Sequence, residues 1–473
     1  MEMAKWRSQD VKTRVYDAME KARRTQSQLN AVVTFIDVEE QLKRLETMDP
    51  KLPLYGIPVV LKDNVNTKGI LTTASSRILS NYVPVYDAAI CEKLKAAGAI
   101  IIAKASMDEL GMGGTNLSAY TGPVHNPYDL TRISGGSSGG SAVLCAAGIS
   151  PLTIGTDTGD SVRKPAAYNG VIGVKPTYGR ISRYGIIPYA SSLDHVGYFT
   201  TAVADAARAL QVLAGRDDRD MTSSYEPVPD YETALNSDLH GKRIAVIDNI
   251  QKAITNEEIL ADFEDLITKL KARGAVVESV HLPDELLAVI LPTYYIIANA
   301  EATANHANLD GIRFGMREAG NSVEEVMIQS RTKGFSSHIR KRFVVGSYSL
   351  FVENQDKLFR KAQQVRRLIV KEVEKVLDRY DVTIASATSG IAPHPEDSAE
   401  IGLSDTYLIA ENHMIMGNFS GYPSITVPSG TVSNMPIGIS MMAKPFDEQT
   451  MFNVALAIEE ETGLKGQTAE VEA

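Results

Sequence analysis

Two glycine-rich segments that carry serine and threonine hydroxyls constrain this chain more than any other feature. Residues 135–141 read Gly-Gly-Ser-Ser-Gly-Gly-Ser, and residues 155–163 read Gly-Thr-Asp-Thr-Gly-Asp-Ser-Val-Arg. Glycine has no Cβ, so both segments can adopt compact backbone that places hydroxyl groups close together. Together with Lys62, which lies 75 residues before Ser137, they suggest a catalytic set of two serines and one lysine.

The chemistry explains why these residue types would be needed. A serine hydroxyl is a weak nucleophile at neutral pH, so a neighbouring group must accept its proton. Lysine can do so only when it is neutral, which requires burial or a nearby cation. Lys62 fits because it ends the apolar run 57–61, which we predict to be a buried strand. Ser137 could then relay the proton of Ser161 to Lys62, which predicts acyl-transfer chemistry without histidine.

The backbone before Ser161 offers donors for the oxyanion of such a reaction. Consecutive N–H groups at Thr158, Gly159 and Asp160 could stabilise the developing negative charge. Asp157 and Arg163 are interpreted as scaffold residues that hold this loop by charge-assisted hydrogen bonds.

Other motifs that these segments resemble fail on their context. Residues 135–139 match the G-x-S-x-G nucleophile elbow, but no apolar strand precedes them. Residues 161–164 match S-x-x-K, but no K-T-G follows. A phosphate-binding loop would need lysine where Ser141 stands, and residues 111–116 lack the last glycine of the dinucleotide pattern. A glycine-serine loop alone can be a plain connection, and only its joint occurrence with Lys62 and the second segment favours catalysis.

Lys62, the glycine-serine loop and the Thr-Gly-x-Ser-x-Arg segment together resemble the amidase signature family. The resemblance implies that Lys62 is the base, that Ser137 is the relay after a cis peptide bond at Gly136–Ser137, and that Ser161 is acylated. It also implies the amidase-signature fold of the α/β class, with a mixed β-sheet covered by helices on both faces.

Further segments are similar to one branch of this family, the A subunits of glutamyl-tRNA(Gln) amidotransferases. They are residues 175–185, 190–194, 294–297, 300–302 and 310–313, and the likeness runs from about residue 56 to about residue 460. The resemblance implies release of ammonia from glutamine. It further implies an ATP-dependent ligase complex of protein biosynthesis, in which a B subunit with ATP and Mg converts Glu-tRNA(Gln) to Gln-tRNA(Gln) beside a small C subunit.

The chain departs from that branch at functional positions. Asp160 replaces a glycine before the nucleophile, and we expect its carboxylate to turn away and pair with a cation, either Arg163 or Lys164. Asn116 replaces a glutamate associated with ammonia guidance. For glutamine recognition, the best matches to the family's arginine and aspartate are Arg342 and Glu411. These departures leave open a stand-alone amidase acting on a small amide, or a catalytically silent scaffold.

Composition predicts an enzyme of the cytoplasm. The chain has 473 residues and only two cysteines, Cys91 and Cys145, so it encodes neither a disulfide framework nor a cysteine zinc site. We expect no metal and no cofactor in this chain. Its N-terminus lacks the apolar core of a signal peptide, and the most apolar segment, 286–300, is broken by Pro292, so we expect no membrane span. A net charge of −10 indicates that tRNA contacts come through a partner.

Helix and strand patterns alternate along most of the chain, which predicts an α/β sheet covered on both faces. We expect a single domain over residues 1–473, with an N-terminal helical region at 1–50, including a helix over 9–47, and a frayed tail at 465–473. Asp87 is predicted to cap a helix that ends at Gly98 and precedes a strand at 99–103. Further helices are expected at 202–214, 256–272, 358–376 and 450–461, and strands at 243–247, 276–277, 382–385, 424–427 and 438–441.

Overall fold

One eleven-stranded mixed sheet organises the protein, whose computed structural model describes residues 2–397, 409 and 411–471. The strands are β1 Val32–Phe35, β2 Pro58–Lys62, β3 Ile100–Ala105, β4 Leu152–Asp157, β5 Ile172–Lys175, β6 His195–Thr200, β7 Arg243–Ile247, β8 Val276–Val280, β9 Val382–Ser386, β10 Ser424–Val432 and β11 Met435–Ala443. Their order in the sheet is β1-β3-β2-β4-β6-β5-β10-β11-β9-β7-β8. Strand β2 runs parallel to β3 and β4, and β7 runs parallel to β8 and β9, whereas all other neighbours are antiparallel.

Helices connect these strands and cover the sheet. They are α1 Met3–Arg7, α2 Val11–Leu29, α3 Glu39–Leu45, α4 Ala89–Ala96, α5 Gly139–Ala146, α6 Arg163–Asn169, α7 Val203–Leu213, α8 Asp248–Lys252, α9 Glu257–Ala272, α10 Asp284–Ala288, α11 Ile290–Asn305, α12 Val323–Gly334, α13 Ser337–Leu350, α14 Val352–Gln355, α15 Lys361–Leu377, α16 Met416–Ser420 and α17 Glu448–Thr462. Single turns of 3-10 helix lie at Arg77–Leu79, Glu109–Gly111 and His413–Ile415, and a π-helical turn at Asp356–Arg360 joins α14 to α15.

The central strands are buried on both faces. Every residue of β2, β3, β4, β5, β6, β9 and β11 is buried. Because successive side chains of a strand point to opposite faces, uninterrupted burial requires cover on both sides of the sheet. The predicted α/β fold is therefore confirmed. The single-domain interpretation stays a prediction, supported by one sheet that draws strands from Val32 to Ala443.

The pairing of β2 with β4 determines which loop lies next to Lys62. Strands β2 and β4 are parallel neighbours, with Leu61 opposite Ile154, so their carboxyl ends meet at the same edge. Lys62 is the last residue of β2 and Asp157 is the last residue of β4. The loop that carries Ser161 therefore begins beside Lys62.

Most predicted elements occur where expected, but two expectations about local structure were wrong. The helical pattern over 9–47 is interrupted by β1, which pairs with β3. Asp87 does not cap α4; its carboxylate accepts a hydrogen bond from the Lys68 N–H and pairs with Lys95 at 2.5 Å. In both cases a tertiary contact overrides the local signal.

The tail expected to fray is attached to the body of the protein through residue 469. Lys465 pairs with Glu2 at 3.0 Å, and the Gly466 N–H donates to the Thr201 carbonyl at 2.7 Å. The Ala469 N–H donates to the Ala146 carbonyl at 2.8 Å. Residues 472 and 473 lie outside the described residues.

The apolar segment near residue 290 is part of the core. In the described part of the chain, one helical stretch, Asp284–Asn305, is long and apolar enough to cross a membrane by length and composition alone. Its second helix, α11, packs against α13 and α15, and Ile290 and Ile297 are fully buried. These contacts are those of a core helix.

We expect Phe452→Ala in α17 to lower the free energy of unfolding by about 3–5 kcal/mol, because it leaves a cavity where a fully buried ring meets Tyr231. Val352→Ala is the control, since Val352 is 91% exposed and should change stability by less than about 0.5 kcal/mol. Urea unfolding monitored by circular dichroism measures both. Equal midpoints for the two variants would contradict this packing.

Candidate active site

Lys62 is fully buried at the carboxyl end of β2 and contacts the glycine-serine loop. Its Nζ atom lies 2.8 Å from Ser137 Oγ, 2.8 Å from Ser138 Oγ and 3.3 Å from the Thr156 carbonyl oxygen. Burial lowers the pKa of the Lys62 ammonium to about 7, although the charges of Asp108 and Asp157 act in the opposite direction.

The partners of Lys62 indicate which of them can give it a proton. The Thr156 carbonyl can only accept, and the Ser138 hydroxyl already donates to that carbonyl at 3.0 Å, so it accepts from Lys62. A neutral amine has two N–H groups, and these two acceptors take both. In that neutral state the remaining lone pair is available to the Ser137 hydroxyl, whose Oγ lies 2.8 Å from Nζ, a distance that permits proton transfer.

Ser138, which the sequence analysis did not single out, joins the two glycine-rich loops. Its Oγ atom accepts from the Thr156 N–H at 3.3 Å, and its own N–H donates to the Ser161 carbonyl at 3.1 Å. The loop between β4 and α6 is thereby held against the loop before α5. The peptide bond at Gly136–Ser137 is cis, as the resemblance implies.

A buried ion pair fixes the base of the Ser161 loop. The Arg163 guanidinium contacts both carboxylate oxygens of Asp157, at 2.9 and 3.1 Å, and donates to the Gly159 carbonyl at 2.7 Å. Burial alone would raise the pKa of Asp157, but Arg163 outweighs this effect and holds it well below the usual range. Asp157 also accepts a hydrogen bond from the Asn418 side-chain amide at 2.9 Å. Asp157 and Arg163 therefore have the contacts expected of residues that hold the loop in place.

The backbone of this loop is free to bind an oxyanion. Within the described residues, the N–H groups of Gly159 and Asp160 have no hydrogen-bond acceptor, and neither does that of Thr158. The Thr158 hydroxyl donates to Asp194 at 2.7 Å, which fixes the loop from its other side. Unpaired donors on a held backbone are the requirement for oxyanion stabilisation.

The Asp160 carboxylate is paired with Lys164 at 2.8 Å, one turn along the chain. Of the two cations predicted to pair with it, Lys164 is therefore the partner. Arg163 is not, because its guanidinium is already bound to Asp157. Burial would lower the pKa of Lys164, but Asp160 and Glu411 outweigh burial and hold it well above its ordinary value.

A cavity of about 480 Å³ opens in front of this loop. It brings together both residues expected to recognise glutamine with the two residues before Ser161. Its lining includes Asp108, Gly159, Asp160, Lys164, Tyr294, Tyr295, His338, Arg342 and Glu411.

Arg342, on α13, faces the cavity without a carboxylate partner among the described residues. Its guanidinium contacts the Tyr189 hydroxyl at 3.1 Å and His338 Nε2 at 3.1 Å, and it lies over the Tyr295 ring. An arginine held by aromatic groups keeps its charge available to an anionic ligand.

Glu411 occupies a more constrained position than the sequence suggested. Its carboxylate accepts hydrogen bonds from the Ser389 N–H, at 2.9 Å, and from the Ser389 hydroxyl, and it lies 3.5 Å from Lys164. Burial would raise the pKa of Glu411, but Lys164 and Ser389 outweigh burial and lower it. Glu411 therefore stays ionised and shares Lys164 with Asp160.

Asn116 is fully buried, and neither side-chain polar atom has a partner among the described residues. Its N–H donates to Asp108 at 2.8 Å, so this segment wraps around a carboxylate that also lines the cavity. The described residues contain no group of three or more His, Cys, Asp or Glu side chains able to hold a metal ion.

The chain is similar to known proteins over nearly its whole length. The chain is 40% identical to the A subunit of glutamyl-tRNA(Gln) amidotransferase from Lactobacillus delbrueckii subsp. bulgaricus, over 96% of this chain and 94% of the relative. It is similar to the crystal structure of the corresponding protein from Thermotoga maritima, with a TM-score of 0.84, 32% identity and coverage of 100% and 98% of the two chains. The native peptide amidase of Stenotrophomonas maltophilia gives a TM-score of 0.83 at 28% identity, with coverage of 100% and 98%.

The family model described as Amidase matches residues 14–452. That span contains the lysine, both glycine-rich loops and the residues that line the cavity. The chain is a member of the amidase family.

Proposed function

We propose that this protein is the glutamine-hydrolysing A subunit of a glutamyl-tRNA(Gln) amidotransferase. The observation that carries the chemistry is the contact set of Lys62, whose buried Nζ lies 2.8 Å from Ser137 Oγ and also contacts two acceptors, Ser138 Oγ and the Thr156 carbonyl. The 40% identity to proteins of that name over nearly the whole chain supports the assignment of the substrate.

The reaction begins with attack of Ser161 Oγ on the side-chain amide carbon of glutamine. The Ser161 proton passes to Ser137, while the Ser137 proton passes to Lys62. The amide oxygen becomes negatively charged and accepts hydrogen bonds from the backbone N–H groups before Ser161. When the C–N bond breaks, the protonated lysine returns its proton through Ser137 to the leaving nitrogen, and ammonia departs.

The resulting ester on Ser161 is hydrolysed by water. The same Lys62 and Ser137 accept the proton of the attacking water and return one to Ser161 Oγ, so glutamate leaves and the enzyme is restored. The chain supplies every proton transfer from its own side chains.

Charges in the cavity fit the α-amino acid part of glutamine. Arg342 would bind the α-carboxylate, and Glu411 would receive the α-ammonium, in the positions implied by the family resemblance. Lys164 lies close to the carboxylates of both Glu411 and Asp160, so it already compensates part of the negative charge of Glu411.

The partners follow from the same assignment. The B subunit would use ATP and Mg to convert Glu-tRNA(Gln) to Gln-tRNA(Gln), and a small C subunit would complete a heterotrimer in the cytoplasm. The acidic net charge of −10 supports tRNA contact through the partner rather than through this chain. Co-purification of the native complex tests this part of the proposal.

A stand-alone amidase is the alternative, favoured by Asp160 and Asn116 and by the structural likeness to a peptide amidase. It predicts a protein that purifies without partners and hydrolyses neutral amides better than glutamine. A catalytically silent scaffold is a third candidate, which covalent labelling of Ser161 would eliminate.

We expect Ser161→Ala and Lys62→Ala each to lower amide hydrolysis by at least about 10³-fold, because one removes the nucleophile and the other its base. The double variant should lose little more than either single one, since both residues serve the same proton relay. Steady-state ammonia release measures the loss, and mass spectrometry detects the acyl-enzyme. An acyl-enzyme that still forms in Ser161→Ala would show that another residue is the nucleophile.

Activity should rise with pH through the titration of Lys62. Its pKa is about 7 and the neutral form is the base, so kcat/KM should increase about tenfold per pH unit well below 7 and level off above about 8. The pH profile should be measured with a neutral amide, because the α-ammonium of glutamine loses its own proton at high pH and would add a second titration to the profile. A flat profile between about pH 5.5 and 8.5 would contradict Lys62 as the base.

Arg342→Met and Glu411→Gln should each raise KM for glutamine by about tenfold or more, because each removes one charged partner of the zwitterion. The KM for a small neutral amide should change much less. Parallel steady-state kinetics on both substrates make the comparison. Equal changes for both would mean that these residues hold the cavity together rather than bind the amino acid.

A further inference from the structure

Asp160 is the feature of the cavity that the family resemblance leaves without a function. Its backbone belongs to the oxyanion loop, but its carboxylate would oppose the charge that forms there if it were unpaired. The structure places that carboxylate 2.8 Å from Lys164 and on the wall of the cavity where the amino acid would bind.

Asp160, Lys164 and Glu411 form one cluster. Lys164 lies 2.8 Å from the Asp160 carboxylate and 3.5 Å from the Glu411 carboxylate, and it donates to the Glu411 carbonyl at 3.0 Å. Two carboxylates therefore share one ammonium, and the cluster presents one net negative charge to the cavity. Removing either carboxylate would make it neutral.

Another part of the cavity wall is positive. Arg342 has no carboxylate partner among the described residues, and Tyr294 is close enough to both Arg342 and Asp160 to interact electrostatically with each. Tyr294 also covers the nucleophile loop, since a Cβ at Gly159 would lie 3.1 Å from its ring. A cation and a net anion thus line the same cavity in front of the oxyanion loop.

Glutamine carries its charged groups close to the amide that is attacked. Only two methylene groups separate its α-carbon from the amide carbon, so the α-ammonium stays close to the attacked atom. Asp160 immediately precedes Ser161 and lines the same cavity, so its carboxylate can contact that ammonium, while its pairing with Lys164 reduces its repulsion of the oxyanion.

We propose that the Asp160 carboxylate is a substrate-specificity residue that, together with Glu411, binds the free α-ammonium of an amino-acid amide. The inference rests on the proposed glutamine hydrolysis and deepens it. The aspartate that replaces glycine before Ser161 would then make the enzyme prefer amides with a free α-amino group.

The test measures binding in the Ser161→Ala background, where no chemistry occurs. Calorimetry compares glutamine with 4-carbamoylbutanoate, which is glutamine without its α-ammonium. We expect Asp160→Asn to raise the Kd for glutamine about tenfold, as for loss of one charged hydrogen-bond partner, and to shift the Kd for 4-carbamoylbutanoate by less than about twofold. Asp160→Gly should do the same, and Asp160→Asn with Glu411→Gln should weaken glutamine binding further.

Glu278→Gln on the edge strand β8 is the matched control, because it makes the same acid-to-amide change at a side chain that is 46% exposed. It should leave both Kd values unchanged. Equal shifts for the two ligands in Asp160→Asn, or no shift for either, would overturn the proposal. A separate experiment shows whether the proposed glutamine hydrolysis itself is wrong. In that case the wild-type protein is acylated by a neutral amide but not by glutamine.

Discussion

Burial of Lys62 at the end of a central strand is the constraint on which the site depends. An ammonium removed from water loses its preference for the charged form, and the surrounding hydroxyl and carbonyl oxygens then determine where its lone pair points. The same edge of the sheet receives the loop after β4, because β2 and β4 are parallel neighbours. Lys62, the proposed base, and the loop that carries Ser161, the proposed nucleophile, are thus positioned by one register of strand pairing, with no histidine in the proposed relay.

Rigid support of the Ser161 loop follows from a second buried charge. Arg163 neutralises Asp157 and reaches the Gly159 carbonyl, so the backbone N–H groups of the loop are held in place before any substrate arrives. Donors that need no reorganisation are more effective in stabilising an oxyanion than mobile ones. Breaking such a pair leaves an uncompensated buried charge, which costs about 3–5 kcal/mol and would loosen the loop.

The proposed catalytic trio, the α/β fold and most strands could be predicted from the sequence because their signals are local. Lys62 ends an apolar run, and the glycine-rich loops are continuous motifs. Lys164 was one of two predicted partners of Asp160, but its contact with Glu411 and the contacts of Ser138 could not be predicted, since these depend on how separate segments meet. The strand at Val32–Phe35 and the attachment of the tail were missed for the same reason, because their hydrogen bonds go to residues far away in sequence.

Asp160 departs from the family pattern, and its effect depends on the side chains that surround it in the structure. In sequence it is an acidic residue beside an oxyanion loop, which argues against efficient catalysis. In the structure, Lys164 holds its carboxylate on the cavity wall and shares its charge with Glu411. The local repulsion is thereby reduced, while the cluster keeps one negative charge in the cavity that Arg342 also lines. Catalysis and recognition can then use the same residue, its N–H for the oxyanion and its carboxylate for the substrate ammonium.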